Sequence, residues 1–140
     1  MSAGAMRLRR KGVEVRLVPA SLEVYSCVYV DVFSVAAALG DREELFRSFS
    51  QFPGRAVFVV DAWHESQLPL ARQYAELCRK WLIDCLLSER KPAEEYAVEL
   101  ACRDGCAVLT RDVDAVRWAR ELRCDVPILV FNRGRVWLAK

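Results

Sequence analysis

Residues 92–118 read PAEEYAVELACRDGCAVLTRDVDAVRW, and their pattern decides the fold. Ala93, Tyr96, Ala97, Leu100 and Ala101 stand at i, i+3, i+4, i+7 and i+8, which puts one apolar stripe along a helix. Pro92 suits the first helical turn, whose N–H lacks a partner anyway, and Gly105 suits the position just past the last turn. Cys106 to Thr110 is a short apolar run with β-branched members, long enough for a central strand and too short for a helix. Asp112-Val113-Asp114 marks where that strand ends. Carboxylates at the carboxyl end of a parallel strand stand where open α/β sheets place their ligands.

The same alternation extends outward. Val24 to Val32 (VYSCVYVDV) is β-branched, with a buried strand in its second half that delivers Asp31. Residues 33–52 read as helix, broken near Gly40 and restarted with Asp41 as N-cap and Glu43 and Glu44 in the first turn. Arg55 to Asp61 (RAVFVVD) is a second buried strand that closes on a carboxylate. Residues 65–81 form a long helix with Leu70, Tyr74, Leu77, Cys78 and Trp81 on one stripe, and Leu82 to Leu87 is a third buried run. A helix over 114–123 presents Val116, Ala119 and Leu122, and Pro127 to Phe131 is the last core strand. Asn132-Arg133-Gly134 turns it into a hairpin over Arg135 to Ala139. Val13 to Val18 alternates as a half-exposed strand. The sum is a three-layer α/β fold with a mainly parallel central sheet, Rossmann-like in layout.

Composition narrows the function classes. No apolar run approaches the roughly 18 residues of a membrane span, and the basic start lacks the apolar segment of a secretory signal, so no membrane role and a cytoplasmic setting are expected. No glycine-rich phosphate loop supports a nucleotide cofactor. The six cysteines include no Cys-x-x-Cys pair, and His64 is the one histidine, so a zinc site has no ligand set. The thiols are expected free, as small buried hydrophobes; a disulfide would instead point to a hyperthermophile or an oxidising compartment. Residues 1–16 carry +4, leaving −2 for the remainder. Arg7, Arg9, Arg10 and Lys11 are thus candidate phosphate contacts, with a solvated tail as the bland alternative.

The carboxylates carry the chemistry. Asp31, Asp61 and Asp112 each end a buried-looking strand, Asp114 follows two residues on, and Glu94 opens a helix. Parallel neighbouring strands would gather them at one rim, where they repel one another and raise each other's pKa unless a cation sits among them. Oxygen-only ligands suit Mg²⁺ or Mn²⁺, and such ions activate water and stabilise the leaving oxygen of a phosphodiester. Each residue also has a structural reading. Asp31, Asp61, Asp112 and Asp114 could cap turns or helices, Glu94 and Glu95 could complement the helix dipole, and His64 reads as a cap or surface residue before a general base.

Leu109-Thr-Arg-Asp112-Val-Asp114-Ala resembles the strand-end motif of the PIN-like nuclease superfamily, in which Ser or Thr precedes Asp-x-Asp. Pro92-Ala-Glu94-Glu95-Tyr-Ala resembles the acidic helix of its NYN and flap-endonuclease-like branches, Val28-Tyr-Val-Asp31 its first strand, and Val57-Phe-Val-Val-Asp61-Ala its second. The resemblance covers about residues 27–131 and implies a basic N-terminal extension or edge strand over 1–23 and a PIN-like domain over 24–140. It implies Asp31, Asp61, Glu94, Asp112 and Asp114 as catalytic metal ligands around a scissile phosphate, with Thr110 shaping the pocket. Where NYN members carry Gly and then Asn after the first Asp, this chain has Val32 and Ser34.

The expected function is a Mg²⁺- or Mn²⁺-dependent endoribonuclease that uses metal-activated water. RNA is favoured over DNA because the chain ends at Lys140 without the helical additions that clasp DNA. The alternative is a catalytically inactive PIN-like domain acting as an RNA-binding or scaffolding subunit, motivated by Val32, Ser34 and the exposed-looking Trp63 and Trp137. A phosphotransferase would want a second Asp two residues after the first, and Phe33 stands there. A homo-oligomer or a partner protein stays open.

Overall fold

Five strands stacked side by side in parallel need crossover helices, and the chain supplies them. The computed structural model describes residues 6–10 and 13–140. Strands β1 (Met6–Arg10), β2 (Val13–Pro19), β3 (Cys27–Asp31), β4 (Arg55–Asp61), β5 (Asp84–Ser88), β6 (Ala107–Thr110), β7 (Ile128–Asn132) and β8 (Arg135–Ala139) form one sheet in the order β1-β2-β8-β7-β6-β3-β4-β5. From β7 to β5 the pairings are parallel; β8, β2 and β1 add on antiparallel. Helices α1 (Val32–Leu39), α2 (Arg42–Ser50) and α3 (Leu68–Trp81) pack on one face, and α4 (Ala93–Asp104) and α5 (Asp114–Glu121) on the other. This is the expected three-layer architecture.

Both faces are covered, which explains the near-continuous apolar strands. Val28, Val30, Phe58 and Val60 point to the α1–α3 layer, where Phe46 meets Phe58 edge-on at 4.9 Å. Tyr29, Val57 and Val59 point to the α4–α5 layer, among Ala93, Ala97 and Val98. In β2, Val15 and Leu17 are buried while Glu14 and Arg16 are exposed, the alternation of a half-covered strand. Arg133 (φ 53°) and Gly134 (φ 71°) both take the left-handed conformation that a two-residue hairpin turn requires.

Three details depart from the expectations. Residues 82–87 are not a buried run: β5 is the sheet edge, Leu86 and Leu87 are exposed, and Leu82 precedes the strand at 92% exposure. Leu122 falls beyond the end of α5 and is exposed, while Val116 and Ala119 hold the core. Four of the six cysteines are not free thiols. Cys27–Cys106 and Cys102–Cys124 are disulfides, while Cys78 and Cys85 remain reduced, side by side between α3 and β5. The first bridge follows from register. Val28 lies opposite Ala107, so Cys27 and Cys106, each one residue earlier, face each other at the start of the pairing, with Cα atoms 5.1 Å apart.

Candidate functional site

Strand order fixes the site. β6, β3 and β4 are parallel neighbours, so Asp31 at the end of β3, Asp61 at the end of β4 and Asp112 just past β6 share one rim of the sheet. Crossover through α4 brings Glu94 to the same rim from its first turn, and Asp114 opens α5 there. Asp31, Asp61, Glu94 and Asp112 line one cleft of about 360 Å³, with Phe33, Ser34, Trp63 and Gln67. Glu94, Asp112 and Asp114 form the tightest group, with one carboxylate oxygen of each within 4.8 Å of the others. Of the adjacent pair, Glu94 turns into the cleft and Glu95 lies toward Lys91.

Each carboxylate is held by a different device. Asp31 is 4% exposed and accepts hydrogen bonds at Oδ2 from the Thr110 and Ser34 hydroxyls, both at 2.8 Å. Ser34 also accepts from the Arg111 amide at 3.1 Å, and Thr110 from the Asp112 amide at 3.1 Å, so the two hydroxyls tie α1 to the loop after β6. Asp61 accepts from the Ala93 amide at 2.7 Å, with Trp63 close by. It therefore caps α4, the second helix on, where Pro92 leaves the first amides without a side-chain cap of their own. Asp112 Oδ1 accepts from the Asp114 amide at 2.9 Å. Asp114 is 2% exposed, with the Arg117 guanidinium 3.8 Å away.

The electrostatics are those of a site short of positive charge. Burial, and then a hydrogen bond and repulsion from Asp112, push Glu94 up to about 8. Burial pushes Asp31 up to about 6 against the lowering effect of Thr110 and Ser34. Burial also raises Asp61, partly offset by the Ala93 amide and the Trp63 indole. The donor set is all oxygen, partly buried and mutually repelling, which fits a hard divalent cation such as Mg²⁺ or Mn²⁺. Glu94, Asp112 and Asp114 could hold it.

Stability should report this directly. Between the ordinary carboxylate value of 4.5 and about 8, folded Glu94 keeps a proton that the unfolded chain has released. Folding therefore takes up a proton in that window, and stability falls as pH rises through it. The melting temperature of the metal-free chain should drop from about pH 5 to about pH 8, and saturating Mn²⁺ should flatten the curve. Calorimetry in two buffers of different ionisation enthalpy should show about one proton released per ion bound at about pH 7. Equal heats in both buffers would contradict it.

Other expectations meet the structure unevenly. His64 is a cap: its Nδ1 accepts from the Ser66 amide at 3.3 Å while Gln67 reaches back to the His64 amide. Trp137 is 6% exposed, its indole donating to the Asn132 carbonyl at 3.0 Å, so it offers no surface to a ligand. Arg7 sits on β1 beside Glu14 at 3.8 Å. The side chains of Arg9 and Arg10, and the whole of Lys11, lie outside the described residues. Ser34 joins the site beyond the sequence expectation: a hydroxyl three residues after a strand-end Asp, in the first turn of the next helix, reaches back to it. A larger cleft, about 620 Å³ between α2 and α3, is lined by Arg42, Glu43, Gln73 and Lys80, which pair with one another.

No family model matches the sequence, and no curated protein matches it. Solved structures do match the fold. The catalytic core of Rad2 superposes over 87% of this chain and 46% of its own length, with TM-score 0.60 and 20% identity. The fold is PIN-like. Human GEN1, solved in complex with Holliday junction DNA, matches over 82% of this chain and 38% of its own, with TM-score 0.53 and 14% identity. The chain thus spans less than half the length of either structure. PIN-like architecture accounts for the convergence at the rim, because its parallel strands end together on the side where the crossover helices begin.

Proposed function

We propose that the chain is a divalent-metal-dependent nuclease of the NYN or flap-endonuclease-like branch, cutting RNA internally at the carboxylate rim. The observation that carries this reading is the grouping of Glu94, Asp112 and Asp114 within 4.8 Å, beside Asp31 and Asp61 in the same cleft. Glu94, Asp112 and Asp114 would hold Mg²⁺ or Mn²⁺ there, which would supply positive charge toward a leaving oxygen and acidify a water. The chain's own residues do the positioning. Thr110 and Ser34 fix Asp31, and the Ala93 amide fixes Asp61, so two carboxylates stay aimed across the cleft while Glu94 gives up its proton. RNA is proposed as the polymer, a choice that paired RNA and DNA substrates of one sequence test. A cytoplasmic setting belongs to the same proposal. The two disulfides bear on it, since such bonds point to a hyperthermophile or to an oxidising compartment.

The inactive-subunit reading keeps the exposed Trp63 and loses support at two other points. Ser34 places a hydroxyl on Asp31, so the first carboxylate is supported after all, and Trp137 is buried. End-labelled single-stranded RNA and DNA of one sequence, incubated with Mn²⁺, Mg²⁺ or a chelator, test the proposal. Internal cuts in RNA that vanish with chelator are expected. Salt-sensitive binding with no cutting in any metal would favour the inactive reading.

A further inference from the structure

Resting on the nuclease reading, we infer that Trp63 is a stacking platform for one unpaired base next to the scissile phosphate, so the substrate is a single strand. Trp63 is 46% exposed, and it is the one aromatic among the largely exposed apolar side chains of the described residues. It also lines the same cleft as Asp31, Asp61, Glu94 and Asp112. The other three tryptophans are partly or fully buried.

The backbone around Trp63 explains why the ring cannot withdraw into the core. Ala62 is buried and its amide donates to the Ser88 carbonyl at 2.9 Å, which pins the chain one residue earlier. One residue later, His64 is locked as the cap of the Glu65–Gln67 turn. Trp63 is therefore presented outward from a rigid point. Its ring lies close enough to Asp61 to favour the charged carboxylate there. The His64 ring stands edge-on to it, centroids 6.1 Å apart and planes at 81°. A ring set between two pinned neighbours and 46% exposed makes a preorganised surface for another flat ring. Unpaired bases stack on such surfaces with little regard for sequence, and a base in a duplex has no free face to offer. Because Trp63 lines the same cleft as Asp61, two residues earlier, a base on the ring would have its own phosphate at the carboxylate rim.

A thermodynamic cycle tests this, using Trp63→Ala, Trp63→Phe and single-stranded RNA in which one nucleotide at a time around the cut is abasic. Trp63→Ala should lower kcat/KM about ten-fold, the size of a lost base–aromatic stack, and Trp63→Phe should keep most of it. One abasic position should cost wild type a similar factor and cost Trp63→Ala nothing further. Affinities measured in Ca²⁺, by anisotropy of a labelled strand, run the same cycle without turnover. The stacking inference thus stands or falls even if no strand is cut. Losses that add independently at every abasic position, or a folded Trp63→Ala that binds and cuts as wild type, would overturn it. Undiminished activity on blunt duplex RNA would do so too.

Discussion

Replacing Asp112 and Asp114 together by asparagine should lower metal-dependent cleavage on the order of 10³-fold or more while leaving the chain folded. The magnitude follows from the several kcal/mol of charge stabilisation that a cation supplies to a phosphodiester transition state. Two of the three oxygens that converge within 4.8 Å come from these residues. The fold should survive because asparagine keeps the shape and the acceptor that the Asp114 amide uses on residue 112 at 2.9 Å. Metal-free stability should even rise, since two members of a repelling cluster become neutral and Glu94 is relieved of its neighbour. Initial rates on labelled RNA and thermal melts of the same preparations check both halves. Equal cleavage by wild type and the double variant would place the chemistry elsewhere.

Loss of the disulfides has the second large expected effect. Cys27–Cys106 closes a separation of 79 residues and Cys102–Cys124 one of 22. On the chain-entropy view they stabilise by about 4 and about 3 kcal/mol, against a total stability of about 5–15 kcal/mol for a typical domain. Both bridges grip the helix-strand stretch that delivers Glu94, Asp112 and Asp114: one at the foot of β6, the other from the last turn of α4 to the residues after α5. Paired Cys→Ala substitution of all four should lower the melting temperature by tens of degrees. Alkylation without reductant should label Cys78 and Cys85 alone, and all six thiols after reduction. Six labelled thiols without reductant would show that the bridges do not form.

Legibility in the sequence tracked how far each feature depends on its own neighbourhood. β3, β4 and β6 were readable because burial on both faces leaves an uninterrupted apolar run with a carboxylate at its end. The break at Gly40 and the Asp41 cap were readable because capping is local, and Asp41 accepts from the Glu43 amide at 3.0 Å as its residue type suggests. β5 was misread because an apolar strand at the sheet edge looks like one at its centre until the pairing order is known. The disulfides were missed for a related reason. Cys27 and Cys106 become neighbours only through the β3–β6 register, which no local pattern encodes.

The site divides the same way. That acidic residues would gather followed from strand ends and chain order. Whether Glu94 or Glu95 would face them did not, because one residue along a helix turns the side chain by about 100°. Asp61 looked like a cap for the helix that follows it, and it caps α4 instead, which is a tertiary fact. The hydroxyls of Ser34 and Thr110 meeting on one oxygen of Asp31 likewise need the fold, since they are 76 residues apart in the chain.

Anomalous diffraction from a crystal soaked in Mn²⁺ tests the metal centre most directly. The expected map has a strong peak among the carboxylates of Glu94, Asp112 and Asp114, at a distance of about 2.1–2.2 Å from their oxygens. An ordered rim with no peak at millimolar Mn²⁺, or a peak held only by residues elsewhere, would contradict it.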